Sequence, residues 1–600
     1  MPAPPAKLIE VRDLIQAGLH ARAIDVLQKL VQRHPDDANA QHAMAICLAS
    51  TGEMARAEFF ARKAAQLAPR DASSQSTCGS VLAQLGKNAE SMAFFEKSLA
   101  LAPDNPHAAV GLANALNALH RSSRAERLLR SSLGAHPNWM PLKLTLGATL
   151  QLLGRPEEGW SWLESAAREQ PNFVPVQTAR AYASNFVPGL SREETFAAHR
   201  AYGHALQASA PSPERVFEND RNPDRRLRVG VISADFRTHS VAFFLDALYE
   251  HLPSVAASSG GIEIASYCTA PVQDGVTAAF KRRSALWRVV AGQAEGEIAQ
   301  RIIDDRVDVL IETSGHTMGH SMGVMHLRAA PVQASYCGYP NTTGVPAIDL
   351  RFVDSHTDPI AGTGSSAADE FHTERLVRLD PCFLCFSPSS EMRGVGVDAR
   401  AASEPLAFGS FNATTKINDA TIQLWSRVLT SVPGSTLVLK ALALGDADLG
   451  ESLLTRFQSR GVVRERITLL PPSKSQVEHL REYGRVDIGL DPFPYHGTTT
   501  TCDALFMGVP VVSRAGDRHA SRVGVTLLNA VGLGELAATD DDGFVRAATS
   551  LAMDRARLAS LRASLRERML ASALCDGPGF AARFAAALRG AWRAWCAAPR

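Results

Sequence analysis

The spacing of apolar residues changes its period along this chain. Over residues 6–172 the apolar positions recur at helical intervals, and the pattern itself repeats. Prolines stand at 35, 69, 103, 137 and 171, each 34 residues after the last. Ahead of each lies Gly18, Gly52, Gly86, His120 or Gly154, followed in register by the small residues Ala23, Ala57, Ser91, Ala125 and Gly159. Another small column runs Ala45, Gly79, Ala113, Gly147. Small residues suit the close crossing of two helices, glycine ends the first helix, and proline stops the second. Asp36 with Asp37, and Asp104 with Asn105, are placed to cap the helix that follows. One such pair cannot bury its apolar face alone, so the pattern predicts a stacked helical solenoid of about five repeats.

After a mixed stretch at 173–225, the period shortens. "LSREETFAAHRAYGHAL" reads as a helix and "ASAPSPERVFENDRNPDRR" as a polar, proline-rich linker. "LRVGVISADF" (227–236) is then a β-branched run ending in polar residues, as a central parallel strand should. Nine further runs follow: 263–268, 308–313, 332–338, 350–355, 406–411, 435–440, 467–471, 486–491 and 509–513, many separated by helical patterns. The alternation predicts two Rossmann-like α/β domains in tandem, over 226–400 and 401–560, splitting near 390 to 405. The last segment, 561–600, contains "FAARFAAALRGAWRAWCAA", whose apolar face is broken by Arg583, Arg589 and Arg593. It is expected to form helices docking back on these two domains.

Composition narrows the class. The 600 residues are 46% hydrophobic and 20% charged with a formal net charge of +1, an ordinary soluble globular balance in several domains. Neither nucleic acid nor a membrane is the expected main partner. No stretch approaches a membrane span, and "MPAPPAKLIEVRDL" lacks the apolar core of a signal peptide. The nine cysteines are scattered, and the lone C-x-x-C in "PCFLCF" (Cys382, Cys385) reads as buried apolar chain. Reduced thiols in a cytoplasmic protein follow.

Ligands of doubly wound sheets sit beyond the carboxyl ends of the strands, so the informative residues should follow strands. His239, in "ADFRTHS", stands between the first strand and the apolar helix "VAFFLDALYEHL". It could donate to a phosphate, act as a base, or simply cap. Lys416, in "NATTKINDATIQLW", falls between a strand and a helix start, where an ammonium neutralises phosphate. "GHTMGHSMG" (315–323) and "GYPNTTG" (338–344) line the facing wall of a crevice or are turns. In "DPFPYHGTTTTCDALFMGVPVV", Gly497 precedes four threonines, with Asp503 inside the helix that follows. Capping needs one threonine. Close-approach glycine, hydroxyls and free helix N–H groups together describe an anion site, with Asp503 suited to ribose hydroxyls. No Walker motif is present and no G-x-G-x-x-G follows the first strand. The acidic runs at 446–448 and 540–542 read as solvated turns, not metal ligands.

The repeat columns at 6–172 resemble the tetratricopeptide (TPR) family. "RVGVISADFRTHSVAFFL", "RAAPVQASYCGYPNTTG", "FNATTKI", "DPFPYHGTTTTCDALFMGVPVV" and "HASRVG", following such an array, resemble the O-GlcNAc transferase and SPINDLY family, glycosyltransferase family 41, over nearly the whole chain. The resemblance implies a TPR solenoid followed by a GT-B fold, with inverting, metal-independent transfer of a sugar from a nucleotide to protein serine or threonine. By the same resemblance, His239 matches a histidine near donor and acceptor that was proposed as base. Lys416 matches a lysine on the donor diphosphate, and His479 a histidine beside the nucleotide base. Gly497, Thr498, Thr499 and Thr500 match the stretch around the diphosphate, and Asp503 the ribose-binding aspartate. UDP-GlcNAc is the expected donor, with no cofactor and no metal. Ala413 and Glu482 replace a glutamine and an arginine of the animal O-GlcNAc transferases. "THSV", "GHT" and "GYPNTTG" lean toward the SPINDLY proteins, so GDP-fucose is the alternative donor. A scaffold with an inactive transferase domain is also compatible with the residues, as is transfer to asparagine or a small molecule. Expected partners are protein or peptide acceptors along the TPR groove, with a homodimer left open.

Overall fold

The structure is a computed structural model that describes residues 4–256, 260–270, 272–360, 368–396, 400 and 404–599. The chain divides into two compact units at Leu153/Gly154, inside the last expected repeat. The first unit holds antiparallel-connected helix pairs from Pro5–Gln16 and His20–Arg33 through Pro106–Ala118 and Ser122–Ala135, then Met140–Leu152. Every second helix stops two residues short of its proline, at Arg33, Leu67, Leu101 and Ala135, because the residue before proline is pushed out of helical geometry. The aspartate or asparagine next to the helix does the capping. Asp37 accepts from Ala40 N (2.8 Å), Asp71 from Ser74 N (2.8 Å), and Asn105 from Ala108 N (3.2 Å).

The glycine column is a column of left-handed residues. Gly18, Gly52, Gly86 and Gly154 have φ of +72°, +82°, +74° and +70°, and His120 adopts +56° in the same turn. A side chain there costs about 1–2 kcal/mol relative to glycine, less for residues that tolerate the region.

The second unit opens with the helices Pro156–Glu169, Val174–Ser184 and Arg192–Ser209, the last started by a capping box between Ser191 and Glu194. Two wholly parallel sheets follow. The first has the order β3-β2-β1-β4-β5-β6-β7, from strands β1 (Leu227–Ser233), β2 (Ile262–Cys268), β3 (Leu286–Val289), β4 (Val309–Glu312), β5 (Val332–Ser335), β6 (Leu350–Val353) and β7 (Arg375–Arg378). The second runs β10-β9-β8-β11-β12-β13, from β8 (Ala407–Ser410), β9 (Thr436–Lys440), β10 (Ile467–Leu470), β11 (Ile488–Leu490), β12 (Val511–Arg514) and β13 (Ala537–Ala538). In each, the strand order reverses once, between β1 and β4 and between β8 and β11. These are the topological switch points at which such sheets bind ligands.

All ten expected strands are present. The three the sequence pattern did not reveal, β3, β7 and β13, are edge strands with half-exposed or two-residue runs that leave no apolar signature. The acidic runs are helix starts and not free turns: Asp446 caps Ala447–Gln458, and Asp540 caps Asp541–Met553 through Gly543 N. Cys382 and Cys385 are buried within the fold, as expected of "PCFLCF". The last helix, Gly577–Ala597, packs on the first lobe: Phe580 and Phe584 meet Tyr336, Arg589 donates to the carbonyls of Pro223 and Arg225, and Trp592 donates to Asn222 O. The helix before it, Arg555–Leu570, serves the second lobe through Arg562 on Val486 O. No described helix is long and apolar enough to cross a membrane.

The left-handed column predicts two substitutions of opposite sign. Gly86 has open space where a Cβ would stand, so Gly86→Ala carries only the backbone penalty and should destabilise by about 1 kcal/mol. His120→Gly relieves the same penalty and should stabilise by about 0.5 kcal/mol once the unfolded-state entropy of glycine is subtracted. Calorimetry of the full chain should displace the melting transition downward for the first variant and upward for the second.

Candidate functional site

Two loops leave the switch point of the second lobe and are stitched together. The loop after β8 carries Asn412 and Lys416, and Asn418 caps the helix Asp419–Ser431 by accepting from Thr421 N at 2.8 Å. The loop after β11 is "DPFPYHGTTTT". Asn418 Nδ2 and Thr421 Oγ1 both donate to Phe493 O, at 2.8 and 2.9 Å. Lys416 Nζ donates to His496 O at 2.6 Å and lies 4.2 Å from the centre of the Tyr495 ring. The ammonium therefore stands one residue before Gly497. Burial pushes it down to about 8, opposed by the charge of Asp491.

Asp491, at the end of β11, fixes the turn. One carboxylate oxygen accepts from Gly497 N at 2.7 Å and the other from Ser513 Oγ at 2.6 Å. His496 is structural. Its Nδ1 accepts from Gly524 N (3.0 Å), so the proton is on Nε2, which donates to Arg514 O (2.8 Å). Gly497 is required by space. A Cβ there would lie 2.5 Å from Thr500 Oγ1, 2.7 Å from Thr501 Oγ1 and 3.0 Å from Asn412 Oδ1.

The four threonines then diverge. Thr498 is the N-cap of Thr499–Phe506 yet makes no side-chain cap bond. Thr500 Oγ1 donates to Asn412 Oδ1 (2.9 Å), and Thr501 Oγ1 donates back to Gly497 O (3.2 Å). Thr499 Oγ1 is buried with no hydrogen-bond partner. A helix start whose N-cap hydroxyl is idle keeps its first N–H groups available. Capping alone does not account for this stretch.

One turn further in, Asp503 is buried, and its Oδ1 has no partner. Its Oδ2 lies 3.7 Å from Nε2 of His479. On its other side, His479 Nδ1 takes a hydrogen bond from Lys440 Nζ at 2.6 Å, which fixes the Nε2–H tautomer facing Asp503. The imidazole is edged by Phe411 and Tyr483 and is held neutral, with burial pushing it down to about 4 and Lys440 adding to that. Lys440 is itself pushed down by burial, while Glu482 and Asp503 pull it back up. Burial pushes Asp503 up to about 7, with Lys440 opposing. A buried carboxylate with an orphan oxygen is costly, so a site that keeps one calls for a partner such as a water, an ion or a ligand donor.

The sequence reading reached Lys416, His479, Gly497, Thr498, Thr499, Thr500 and Asp503, and all seven lie in this one cluster. It missed Lys440, Asn412, Tyr483 and Asp491. Three of these end or directly follow strands β8, β9 and β11, which is the signal that could have found them.

His239 belongs to the other lobe. It follows β1, and Ala242 N of the helix Ala242–Val255 donates to its carbonyl. No described hydrogen bond, ion pair or ring contact joins it to the second-lobe cluster. "GHTMGHSMG" and "GYPNTTG" do follow β4 and β5, but the hydroxyl of Thr342 is committed to Glu374 at 2.6 Å, with the Thr343 hydroxyl bonded to the same carboxylate. His316 Nε2 bonds Thr343 O. Those threonines build the wall and do not offer their hydroxyls to a ligand. The "HASRVG" segment and Thr526, just after it, reach from the second lobe to the first. His519 Nδ1 meets Asp358 at 2.6 Å, Thr526 Oγ1 donates to Asp354 (2.6 Å), and Arg522 Nε donates to His356 O (2.7 Å). Among the described residues no group of three or more His, Cys, Asp or Glu side chains is placed to hold a metal ion.

Two tandem parallel-sheet lobes, each with one topological switch point, define a GT-B fold. The chain belongs to glycosyl transferase family 41, whose profile matches residues 210–384 and 398–584, with tetratricopeptide repeats at 14–78 and 82–142. A solved point mutant of Thermobaculum terrenum O-GlcNAc transferase is similar at 29% identity and a TM-score of 0.80, covering 88% of this chain and 98% of that one. The Arabidopsis thaliana protein described as probable UDP-N-acetylglucosamine–peptide N-acetylglucosaminyltransferase SPINDLY is 37% identical over 421 residues, 70% of this chain and 45% of that protein. The Arabidopsis thaliana protein of the same description named SEC is 26% identical over 367 residues, 59% of this chain and 36% of that one. The chain thus spans less than half the length of these plant relatives.

The buried Asp503 predicts a pH-dependent cost in the unliganded protein. Its folded-state value of about 7 lies above an unfolded carboxyl at about 3.9. The folded state then binds the extra proton, so the stabilising contribution is complete below about pH 4 and is lost as pH rises through 7. Asp503→Asn should raise the melting temperature of the unliganded chain at pH 8 by roughly 2 °C or more, corresponding to about 1–3 kcal/mol, and leave it unchanged near pH 4. Thermal melts of both proteins across that window test it.

Proposed function

We propose that this protein is an inverting, metal-independent O-glycosyltransferase that moves a sugar from a nucleotide donor to serine or threonine hydroxyls of proteins. UDP-GlcNAc is the proposed donor, in line with the activity named for its relatives. The observation that carries the reading is the pairing of two unsatisfied features one helical turn apart: the uncapped threonine helix beside Lys416, and the orphan carboxylate oxygen of Asp503. A diphosphate needs positive potential and donors. A ribose needs an acceptor for its hydroxyls. The spacing along Thr499–Phe506 offers both in the order a nucleoside diphosphate presents them.

In this reading the acceptor hydroxyl attacks the anomeric carbon from the face opposite the nucleotide, and the carbon–oxygen bond to the diphosphate breaks with its electron pair on the leaving group. Stabilising that developing charge is the main electrostatic task. Lys416, Thr499 Oγ1 and the first N–H groups of the helix perform it without a metal. Because burial lowers Lys416 to about 8, an arriving diphosphate also draws the ammonium fully into its charged form. His479 and Lys440 face the nucleoside, His239 faces the acceptor from the other lobe, and the repeat unit holds acceptor proteins in the cytoplasm.

Glu482 favours a second reading of the donor. Its carboxylate is close enough to Lys440 to raise that group. A carboxylate at the base end of the site can accept from both the ring N–H and the adjacent amino group of guanine, whereas uracil offers a ring N–H with no amino group beside it. GDP-fucose is therefore the alternative donor. A panel of UDP-GlcNAc, UDP-glucose and GDP-fucose, read by thermal shift and donor hydrolysis, separates them: stabilisation by UDP-sugars alone fits the first reading and by GDP-fucose alone the second. Lys416→Ala should lower transfer at least about a hundredfold, the effect of removing one preorganised charge stabiliser. Near-normal turnover in that variant, with whichever donor binds, would sink the assignment of Lys416.

A further inference from the structure

Three carboxylates crowd the end of β1 and the loops beside it, and two of them are fully engaged. Glu312 accepts from Ser314 N (3.0 Å), Gly315 N (2.8 Å) and Ser321 N (3.3 Å), which braces the loop after β4. Asp274 accepts from Thr238 N and Oγ1, both at 2.7 Å, and from Val276 N and Thr277 N, pinning the residue before His239. Asp235 is different. It is 4% exposed, and its described side-chain partners are Ser314 Oγ at a long 3.4 Å and His239 Nδ1 at 3.2 Å. Its charge has no described backbone N–H to lean on.

We propose that Asp235 is the positioning residue of a carboxylate–imidazole dyad with His239, a role that rests on His239 serving the acceptor hydroxyl. The geometry sets the argument. Nδ1 of His239 also lies 3.3 Å from Val241 N–H, and it cannot accept that bond while donating to Asp235. The neutral ring can satisfy either neighbour. Only the tautomer with Nδ1–H leaves Nε2 free to take a proton, and in that tautomer Nδ1–H turns to Asp235 and not to Val241. The dyad therefore holds the ring in its base-competent form, and the bond to Asp235 strengthens as Nε2 takes the proton and the ring becomes charged, which is the difference that lowers a barrier. Nε2 carries no described hydrogen bond and belongs to a side chain that is 37% exposed, so it is the edge offered to the crevice.

The step balances simply. The acceptor hydroxyl gives its proton to Nε2 as its oxygen bonds to the anomeric carbon, and the bond to the diphosphate breaks with its electron pair on the leaving group. The Nδ1 proton stays between His239 and Asp235 throughout. The charged groups around the pair are Arg237, which opposes the imidazolium, and Glu312, whose ionisation Asp235 discourages. Burial lowers His239, and Asp235 is the neighbour that raises it.

The test is the titration of His239 in the full chain, followed by NMR on histidine-labelled protein with the signal assigned by its loss in His239→Ala. In Asp235→Asn the midpoint should move to lower pH by at least about half a unit, while Asp235→Glu, which keeps the charge, should move it less. An unchanged midpoint in Asp235→Asn overturns the dyad. This readout needs no donor, so it stands even if the proposed transferase activity is never found. Where transfer is measurable, Asp235→Asn and His239→Ala should each lower kcat/KM at least about tenfold without weakening nucleotide binding, and the double variant should be no slower than His239→Ala. Losses that multiply would also overturn the proposal. If Asp235→Asn fails to fold, Asp235→Glu carries the test: loss of transfer with a displaced midpoint supports the dyad, and full transfer with a displaced midpoint overturns it.

Discussion

Asp491 accepts Gly497 N–H on one oxygen and the Ser513 hydroxyl on the other, and the candidate donor site hangs on that carboxylate. It sits at the end of β11, where the sheet order reverses, and converts the position of a strand into the position of a turn. With Gly497 held, His496 O is placed to receive Lys416, Phe493 O receives Asn418 and Thr421, and the threonine helix starts at a fixed point. The carboxylate is 2% exposed, so each of these bonds forms in a medium where a hydrogen bond to a charge is worth more than in water. Asp491 also compensates the buried ammonium of Lys416 without touching it, leaving that cation free of an ion pair that a ligand would have to break.

The two lobes divide the electrostatic labour. In the second lobe the groups that meet the proposed donor are kept buried and under-satisfied: a lysine lowered toward neutrality, a neutral histidine of fixed tautomer, and a carboxylate with an orphan oxygen. A rigid parallel sheet with both faces covered supports that frustration, because loops at its carboxyl end are anchored by strands that cannot relax. In the first lobe the corresponding switch point gathers three acids, Asp235, Asp274 and Glu312, with Arg237 beside them, and two of the three are satisfied by backbone N–H groups. Between them, the hydrogen bond of His519 to Asp358 and the bond of Thr526 to Asp354 tie the "HASRVG" segment and the helix after it to the loops beyond the strands of the other lobe. The facing walls are thereby linked by short polar bonds, and polar bonds of this kind can be exchanged when domains shift.

How much of this is legible in the chain depends on what each residue must do alone. Repeat columns and central strands are written in many positions at once, so periodicity exposes them. Edge strands such as β7, with its pattern of exposed and half-buried residues, are written in few and escape. The same holds in the site. Gly497 and the threonines form a run unusual enough to stand out, and Lys416 occupies a strand-to-helix junction. Lys440 closes an ordinary strand, "STLVLK", and only the fold reveals that its ammonium sets the tautomer of His479 across 39 residues of sequence. Asp235 is four residues from His239 and still escapes a reading of motifs, because proximity in sequence does not say which of several nearby acids lacks backbone partners.

The departures at Ala413 and Glu482 can be weighed against that framework. Ala413 is exposed, and it immediately precedes the short turn Thr414–Lys416 that carries the ammonium. Glu482 follows the helix Gln476–Arg481 and acts through Lys440, which touches His479, which faces Asp503. A charge change at 482 is therefore felt along the whole line of groups expected to meet the nucleoside, including the two whose protonation is already displaced. The base end of the site is where this chain differs electrostatically from an arginine-bearing relative, while the phosphate end is built from Lys416 and helix N–H groups that do not depend on it. In the proposed reading, selectivity among nucleotides and stabilisation of the leaving group would thus be carried by separable parts of one helix and its neighbours.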